Sequence, residues 1–238
     1  MSEMQNFSGD GKRILFFGRA KCSATEDLLK KLVRYDFDVT FIKSRNRGEK
    51  LPEDIYWWEG EYIVCFRSLY VLPKRLIDRA SIAAINFHPA PPEYPGSGCI
   101  NFALYDEVND YGVTAHVMNE LVDNGRILEV RRFPVTPHDN LATVLSRTHS
   151  ELFNLCSDFI SALYSNGENF LKEKMEASET EVWRGKARLL KELDELQKID
   201  TKVSEKDLKR IIRANYIEGY PLRIELHGLT FRLELDDK

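Results

Sequence analysis

The chain has 238 residues, carries a formal net charge of −4, and is 43% hydrophobic, 30% charged and 11% aromatic. That is the make-up of an ordinary folded protein, long enough to close one sizeable domain and a small appendage without help from metals or disulfides. The acidic balance argues against a nucleic-acid binder, which would present a basic face, yet leaves room for a local basic pocket that takes a small anion.

The first clear element is the run RILFFG, a short continuous apolar stretch of the kind expected of a parallel strand buried on both faces. Ser23 with Glu26 has capping-box spacing, and Leu28, Leu29, Leu32 and Val33 then recur at helical intervals. DVTFIK and EYIVCF read as the next two strands, Pro73 opens a short helix in PKRLIDRA, and IAAINF is a fourth strand. GCINFALYDEVND reads as a short helix, followed by the strands GVTAHVM and ILEVRRFPV with NELVDNG between them. A long amphipathic helix is expected from about Asp139 to Tyr164. After Gly167 the chain becomes highly charged, as a linker or surface helix would. Ser204 with Asp207 caps a further helix, and YPLRIELHGLTFRLEL alternates around His227-Gly228 as a β-hairpin. Strands alternating with helices predict an α/β fold with a mostly parallel, Rossmann-like sheet. The expected division is a catalytic domain over 1–165, a charged linker or helical segment over 166–203, and a helix plus β-hairpin module over 204–238.

The four cysteines form no Cys-x-x-Cys pair, and histidines 88, 116, 138, 149 and 227 show no metal-ligand spacing, so no metal is expected. No apolar run reaches the roughly 18 residues of a membrane span. The polar start MSEMQNFSGDGK lacks a signal-peptide apolar region. The expectation is a cytoplasmic protein with no membrane and no nucleic-acid partner.

In open α/β sheets, ligands bind beyond the carboxyl ends of the strands. The end of IAAINFHPA is such a place, and it presents Asn86 and His88 to one side of an extended segment. The proline-rich continuation PAPPEYPGSG makes the rigid, irregular backbone on which sites are built. Asp123 precedes the turn signal Asn124-Gly125, so on pattern alone it reads as a turn residue. His116 reads equally as a packed core histidine. Arg67, Arg184, Lys186 and Arg213 read as solvated charges, any one of which could instead hold a phosphate. There is no glycine-rich dinucleotide fingerprint after the first strand, no Walker loop and no Gly-x-Ser-x-Gly elbow.

INFHPAPPEYPGSGCINFAL followed by GVTAHVMNELVDNGRILEVRRFPV resembles the catalytic core of the folate-dependent formyltransferases. The shared pattern is Asn-x-His-Pro, a glycine-bearing segment, and then Asp-x-Gly after a strand that carries a histidine. Asn86, His88, His116, Asp123 and Gly125 occupy those positions. The resemblance implies 10-formyltetrahydrofolate as formyl donor, with Leu69, Tyr70, Val71, Asn119, Glu120, Val122 and Gly125 framing the pterin. It also implies that Asn86 donates to the oxyanion of a tetrahedral intermediate, that His88 takes the amine's proton, and that Asp123 orients and charge-stabilises His88. The glycine segment Gly96, Ser97 and Gly98 would border the acceptor.

The ending LKRIIRANYIEGYPLRIELHGLTFRLEL is similar to that of the sugar-nucleotide N-formyltransferases. This implies an acceptor such as dTDP-4-amino-4,6-dideoxyglucose or a 3-amino isomer, formylated for O-antigen or related surface polysaccharide. Tyr220 would then stack on the base, with Arg213 or Lys186 near the diphosphate. The apolar hairpin face is either a homodimer seam or an intrachain core. Other readings are a different folate-dependent formyltransferase, such as a glycinamide ribonucleotide enzyme, a formyl-folate hydrolase, or a folate- or nucleotide-binding protein without catalysis.

Overall fold

The sheet is built around four short apolar strands that leave almost no polar side chain to solvent. A computed structural model describes residues 4–218 and 222–234. In it β1 (Met4–Phe7), β2 (Arg13–Arg19), β3 (Asp38–Ser44), β4 (Gly60–Phe66), β5 (Ala80–His88), β6 (Asp110–Val117) and β7 (Ile127–Pro134) form one sheet. Their spatial order is β1-β3-β2-β4-β5-β6-β7. β3, β2, β4 and β5 run parallel, while β1, β6 and β7 are antiparallel to their neighbours. Ile14, Leu15, Phe16 and Phe17 are all fully buried, because the sheet is covered on both faces.

One face packs against α1 (Ser23–Arg34) and the long helix α4 (Leu141–Ala177), through Leu28, Leu32, Phe41, Leu152 and Phe159 among others. The opposite face is closed by a 3₁₀ turn at Glu53–Trp57 and the short α2 (Lys74–Ile77) over Leu15, Phe17 and Ile63. This is the mostly parallel α/β sheet expected from the strand–helix alternation.

Several local details differ from the sequence reading. Cys22, not a serine, is the residue that precedes α1, and no side chain caps it. Ser23 is already helical, and the first-turn hydroxyl that meets backbone belongs to Thr25, which accepts from the Arg19 N–H at 3.3 Å. β1 lies in the stretch read as a featureless polar start; it is an edge strand, only half buried on alternate residues, so its apolar signal is weak. α4 continues past Tyr164 to Ala177, with Gly167 out of helical geometry (φ 55°, ψ −130°). Glycine tolerates that left-handed φ, and the chain beyond it keeps its place by burying Phe170 and Leu171 in the α4 face of the core.

α3 (Cys99–Tyr105) packs on α6 (Glu205–Asn215), and the Asn101 amide donates to the carbonyl of Ala214 at 2.9 Å. α5 (Leu190–Leu196) precedes α6, whose N-terminus is capped by Ser204 accepting from the Asp207 N–H at 3.1 Å. β8 (Arg223–Leu226) and β9 (Leu229–Arg232) form the expected hairpin, with His227 and Gly228 both at positive φ in its tight turn. Among the described residues no helix is long and apolar enough to cross a membrane.

Candidate active site

The register of two antiparallel strands decides which polar groups meet. β5 pairs with β6 so that Asn86 lies opposite His116 and His88 opposite Thr114. Directly opposed residues share a face, so Asn86, His88 and His116 come together at the carboxyl end of β5. The Asn86 amide nitrogen is 3.1 Å from His116 Nε2. An amide nitrogen only donates, so His116 Nε2 accepts, and the ring proton sits on Nδ1, 3.0 Å from the carbonyl of Val117.

Asp123 reaches this group from the turn between β6 and β7, with φ at 46°. Its Oδ2 lies 3.2 Å from His88 Nδ1 and accepts the Gly96 N–H at 2.9 Å; its Oδ1 is 3.5 Å from both His116 Nε2 and the Asn86 amide. Gly125 makes the turn feasible. A Cβ there would stand 1.7 Å from the Val117 carbonyl oxygen, so only a glycine lets the chain fold back over the end of β6.

The proline-rich segment is pinned from below. Tyr111 donates its hydroxyl to the carbonyl of Pro89 at 2.9 Å, and Thr114 to that of Ala90 at 2.7 Å. This brings the Tyr94 carbonyl to 3.0 Å from His88 Nε2. Cys99 Sγ lies 3.8 Å from the same nitrogen and donates to the carbonyl of Gly96 at 3.1 Å.

The cluster is nearly dry: side-chain exposure is 4% for His88, 2% for His116 and 7% for Asp123. Burial pushes the Asp123 carboxyl up, but the charge of His88, the contact with His116 and the Gly96 N–H outweigh it and hold the group at about 2. Burial moves His88 the other way, below its ordinary value, against the pull of Asp123 and the Tyr94 carbonyl. Burial also drives the Cys99 thiol up to about 12, so that sulfur stays protonated. The arrangement is therefore a carboxylate at Nδ1 of His88 and a backbone carbonyl at Nε2, two acceptors that favour the protonated ring against a burial that disfavours it.

One participant escaped the sequence reading. Trp183 stands edge-on to both imidazoles, 5.0 Å from the ring centre of His116 and 5.7 Å from that of His88. Its indole N–H donates to the Gly125 carbonyl at 2.6 Å. It arrives on a strap after α4, which is laced to the proline-rich loop: Arg184 N–H to Pro92 O at 2.9 Å, Arg188 N–H to Pro95 O at 3.0 Å, and Ser97 N–H to Arg188 O at 2.9 Å. The available signal was a lone tryptophan in a charged stretch, the wrong residue for a solvated linker.

The remaining expected site residues are placed as follows. Val71 and Val122 are exposed and apolar, as is Leu121 beside them; Asn119 and Glu120 are exposed and Leu69 is half-buried. The bases of the two loops meet, since Tyr70 and Leu72 of the first and Met118 before the second pack in one apolar cluster. Tyr70 turns inward, edge-on to Phe17, with its hydroxyl on Glu49 at 3.3 Å. Gly96 and Ser97 have their N–H groups committed to Asp123 and Arg188, and Gly98 begins α3 with φ at 73°. Lys186 is exposed. Arg213 spends three of its five guanidinium N–H groups on the carbonyls of Asp139, Leu104 and Thr136, a tie between α6 and the turn before α4. Arg67 donates to Cys22 Sγ at 3.4 Å. Tyr220 lies outside the described residues.

Residues 13–158 match the family described as formyl transferase, a span that holds every member of the cluster except Trp183. The chain belongs to the formyl transferase family. This formyl transferase is similar to a methionyl-tRNA formyltransferase of Listeria monocytogenes, 32% identical over 114 residues, which is 46% of this chain. The match spans little more than a third (36%) of the Listeria protein's length. In fold, it is similar to a sugar N-formyltransferase from a Shewanella species (TM-score 0.70, 17% identity, 95% of this chain and 98% of that one). It is also similar to an N-formyltransferase from Helicobacter canadensis in complex with folinic acid and dTDP-3-aminofucose (TM-score 0.68, 15% identity, 90% and 84%).

Proposed function

We propose that this protein transfers a formyl group from 10-formyltetrahydrofolate to the amine of a nucleotide-linked amino sugar. A dTDP-linked 4-amino-4,6-dideoxyhexose is the first candidate, its 3-amino isomer the second, and surface polysaccharide the destination of the product. The observation that carries the chemistry is the convergence of Asn86, His88, His116 and Asp123 in one buried cluster at the end of β5. The acceptor class is supported by extent. The likeness to the Shewanella sugar enzyme covers 95% of this chain and 98% of that one, whereas the methionyl-tRNA match covers 46% of this chain.

The chemistry needs one atom to gain charge and one proton to move. The amine attacks the formyl carbon, a C–N bond forms, and the carbonyl oxygen becomes an oxyanion. The Asn86 amide has one N–H on His116; its other, on Asp123 at a long and weak 3.5 Å, is the donor most easily exchanged for that oxygen. A preorganised donor of this kind lowers such a barrier by about 3 kcal/mol. His88 Nε2 takes the amine's proton, and Asp123 stabilises the imidazolium so formed. When the intermediate collapses, the bond from carbon to N10 of the folate breaks and the proton passes from His88 to N10. The Tyr94 carbonyl, 3.0 Å from Nε2, can accept from that nitrogen once it is protonated and so marks the side on which the proton is taken. The exposed apolar edges of Val71, Leu121 and Val122 suit the flat face of a pteridine.

The test is incubation with 10-formyltetrahydrofolate and a panel of nucleotide-linked amino sugars, read by product mass. A one-formyl mass gain on an amino sugar supports the reading. Formylation of methionyl-tRNA with every sugar untouched refutes the acceptor class. Release of formate regardless of acceptor points to a hydrolase.

A further inference from the structure

We propose that Trp183 is a positioning residue that closes the imidazole cluster against water and so directs the formyl group to an amine. The inference rests on the formyl-transfer reading above.

Trp183 belongs to none of the four apolar clusters that make the core. A large aromatic on a charged strap that joins no core is instead set against two imidazoles, His88 and His116, and tied to the Gly125 carbonyl two residues from Asp123. The other sides of His88 are taken by Asp123, the Tyr94 carbonyl and Cys99. Trp183 is thus the wall that the strand–turn framework does not itself supply. The strap cannot drift easily. Gly96, at φ 91°, approaches so closely that a Cβ there would stand 2.3 Å from the Arg188 nitrogen, and three backbone hydrogen bonds join the two segments.

The consequence is chemical. Water at His88 Nε2 is a competing nucleophile: it would add to the formyl carbon, the bond to N10 would break, formate would leave, and N10 would take the proton. An indole in that space excludes water while offering no proton and no nucleophile.

Trp183→Leu and Trp183→Phe test the idea, with melting curves to verify folding. Formate and N-formyl product are measured with 10-formyltetrahydrofolate in the presence of an accepted amino-sugar nucleotide. Trp183→Leu should raise the ratio of formate to N-formyl product at least about tenfold. Trp183→Phe keeps a ring but loses the N–H on Gly125, and should fall between.

A second readout needs no turnover. The difference in tryptophan emission between the wild type and Trp183→Phe removes Trp57 and Trp58, and should fall as a neighbouring imidazole becomes charged on acidification. His88, whose ring meets the indole edge-on and whose Nδ1 faces Asp123, is the group this readout follows. An unchanged product ratio in Trp183→Leu overturns the inference, as does emission that does not respond at any pH at which the protein stays folded. A wild type that neither transfers nor hydrolyses formyl groups, yet shows the emission titration, overturns the functional reading while leaving the contact intact.

Discussion

Asp123→Asn keeps the shape of the side chain and removes its charge, which isolates what that charge does. The carboxyl is held at about 2 against an ordinary 3.8, so its ionised form gains about 2 kcal/mol from its surroundings in the fold. Among the influences that lower its pKa the charge of His88, 3.2 Å away, comes first, and by reciprocity Asp123 favours the charged form of His88. Two effects follow when the charge is lost. The imidazolium that forms as the amine gives up its proton loses a charge-assisted hydrogen bond worth about 2 kcal/mol, some thirtyfold in rate, and loss of the fixed ring orientation brings the total fall in kcat/KM to about 10²-fold or more. The pH profile also moves. His88 already titrates below its ordinary 6.5, because burial outweighs the pull of Asp123. Activity that needs neutral His88 is present above that pKa and is lost as pH falls through it. Removing Asp123 removes an influence that raises the pKa, so the acid limb shifts further down while the plateau drops. Initial rates of N-formyl product over the histidine range give both numbers. A variant that keeps kcat/KM within threefold, or whose acid limb moves up, refutes the role assigned to this carboxylate.

Gly125→Ala forces a methyl group to within 1.7 Å of the Val117 carbonyl, so backbone must move. Stability should fall by about 3 kcal/mol or more, and the displaced Asp123 should cost about 10²-fold in rate; an unchanged melting temperature would refute the close approach. Arg213→Ala deletes a guanidinium bonded to three carbonyls, and the melting temperature should drop by about 4–8 °C. A tenfold rise in KM for the sugar nucleotide with no change in melting would return Arg213 to a ligand-binding role. The stability that Asp123 gains from ionisation is complete above its ordinary 3.8 and is lost as pH falls through about 2. The melting difference between wild type and Asp123→Asn should therefore shrink as pH drops below 4, and a gap that widens there would contradict the assignment.

The sheet was legible because its parallel strands are written in runs such as RILFFG and EYIVCF, which have no other sensible home. Asn86 and His88 were legible because a strand alternates faces, so residues two apart must point together. His116 was legible only through the family pattern, since alternation on one strand cannot say which face meets the neighbour; the Asn86–His116 register supplies that, and it is a fact about two strands. Asp123 looked like a turn residue and is one, with φ at 46°; its second role comes from where the turn is folded. Trp183 and its strap were hidden for a different reason. Their placement depends on backbone hydrogen bonds to Pro92, Pro95 and Ser97, and backbone bonding leaves no trace in residue types.

Burying two imidazoles, an amide and a carboxylate is costly unless each finds partners, and here the partners come from two sources that behave differently. Among the described residues the one buried side-chain atom without a hydrogen bond is the Tyr62 hydroxyl, which lies outside this cluster. Asn86, His88 and His116 are fixed by a strand ladder, so their relative positions are set by the sheet itself. Asp123, the Gly96 N–H, the Tyr94 carbonyl and Trp183 belong to loops and a strap that hold one another. Substitutions in the ladder should therefore act on the chemistry alone. Substitutions in the strap, distant in sequence from the ladder, should loosen the closure around it, and water admitted to His88 should move the acid limb up, opposite to Asp123→Asn. A strap variant whose acid limb moved down, as that of Asp123→Asn does, would show that this division is wrong.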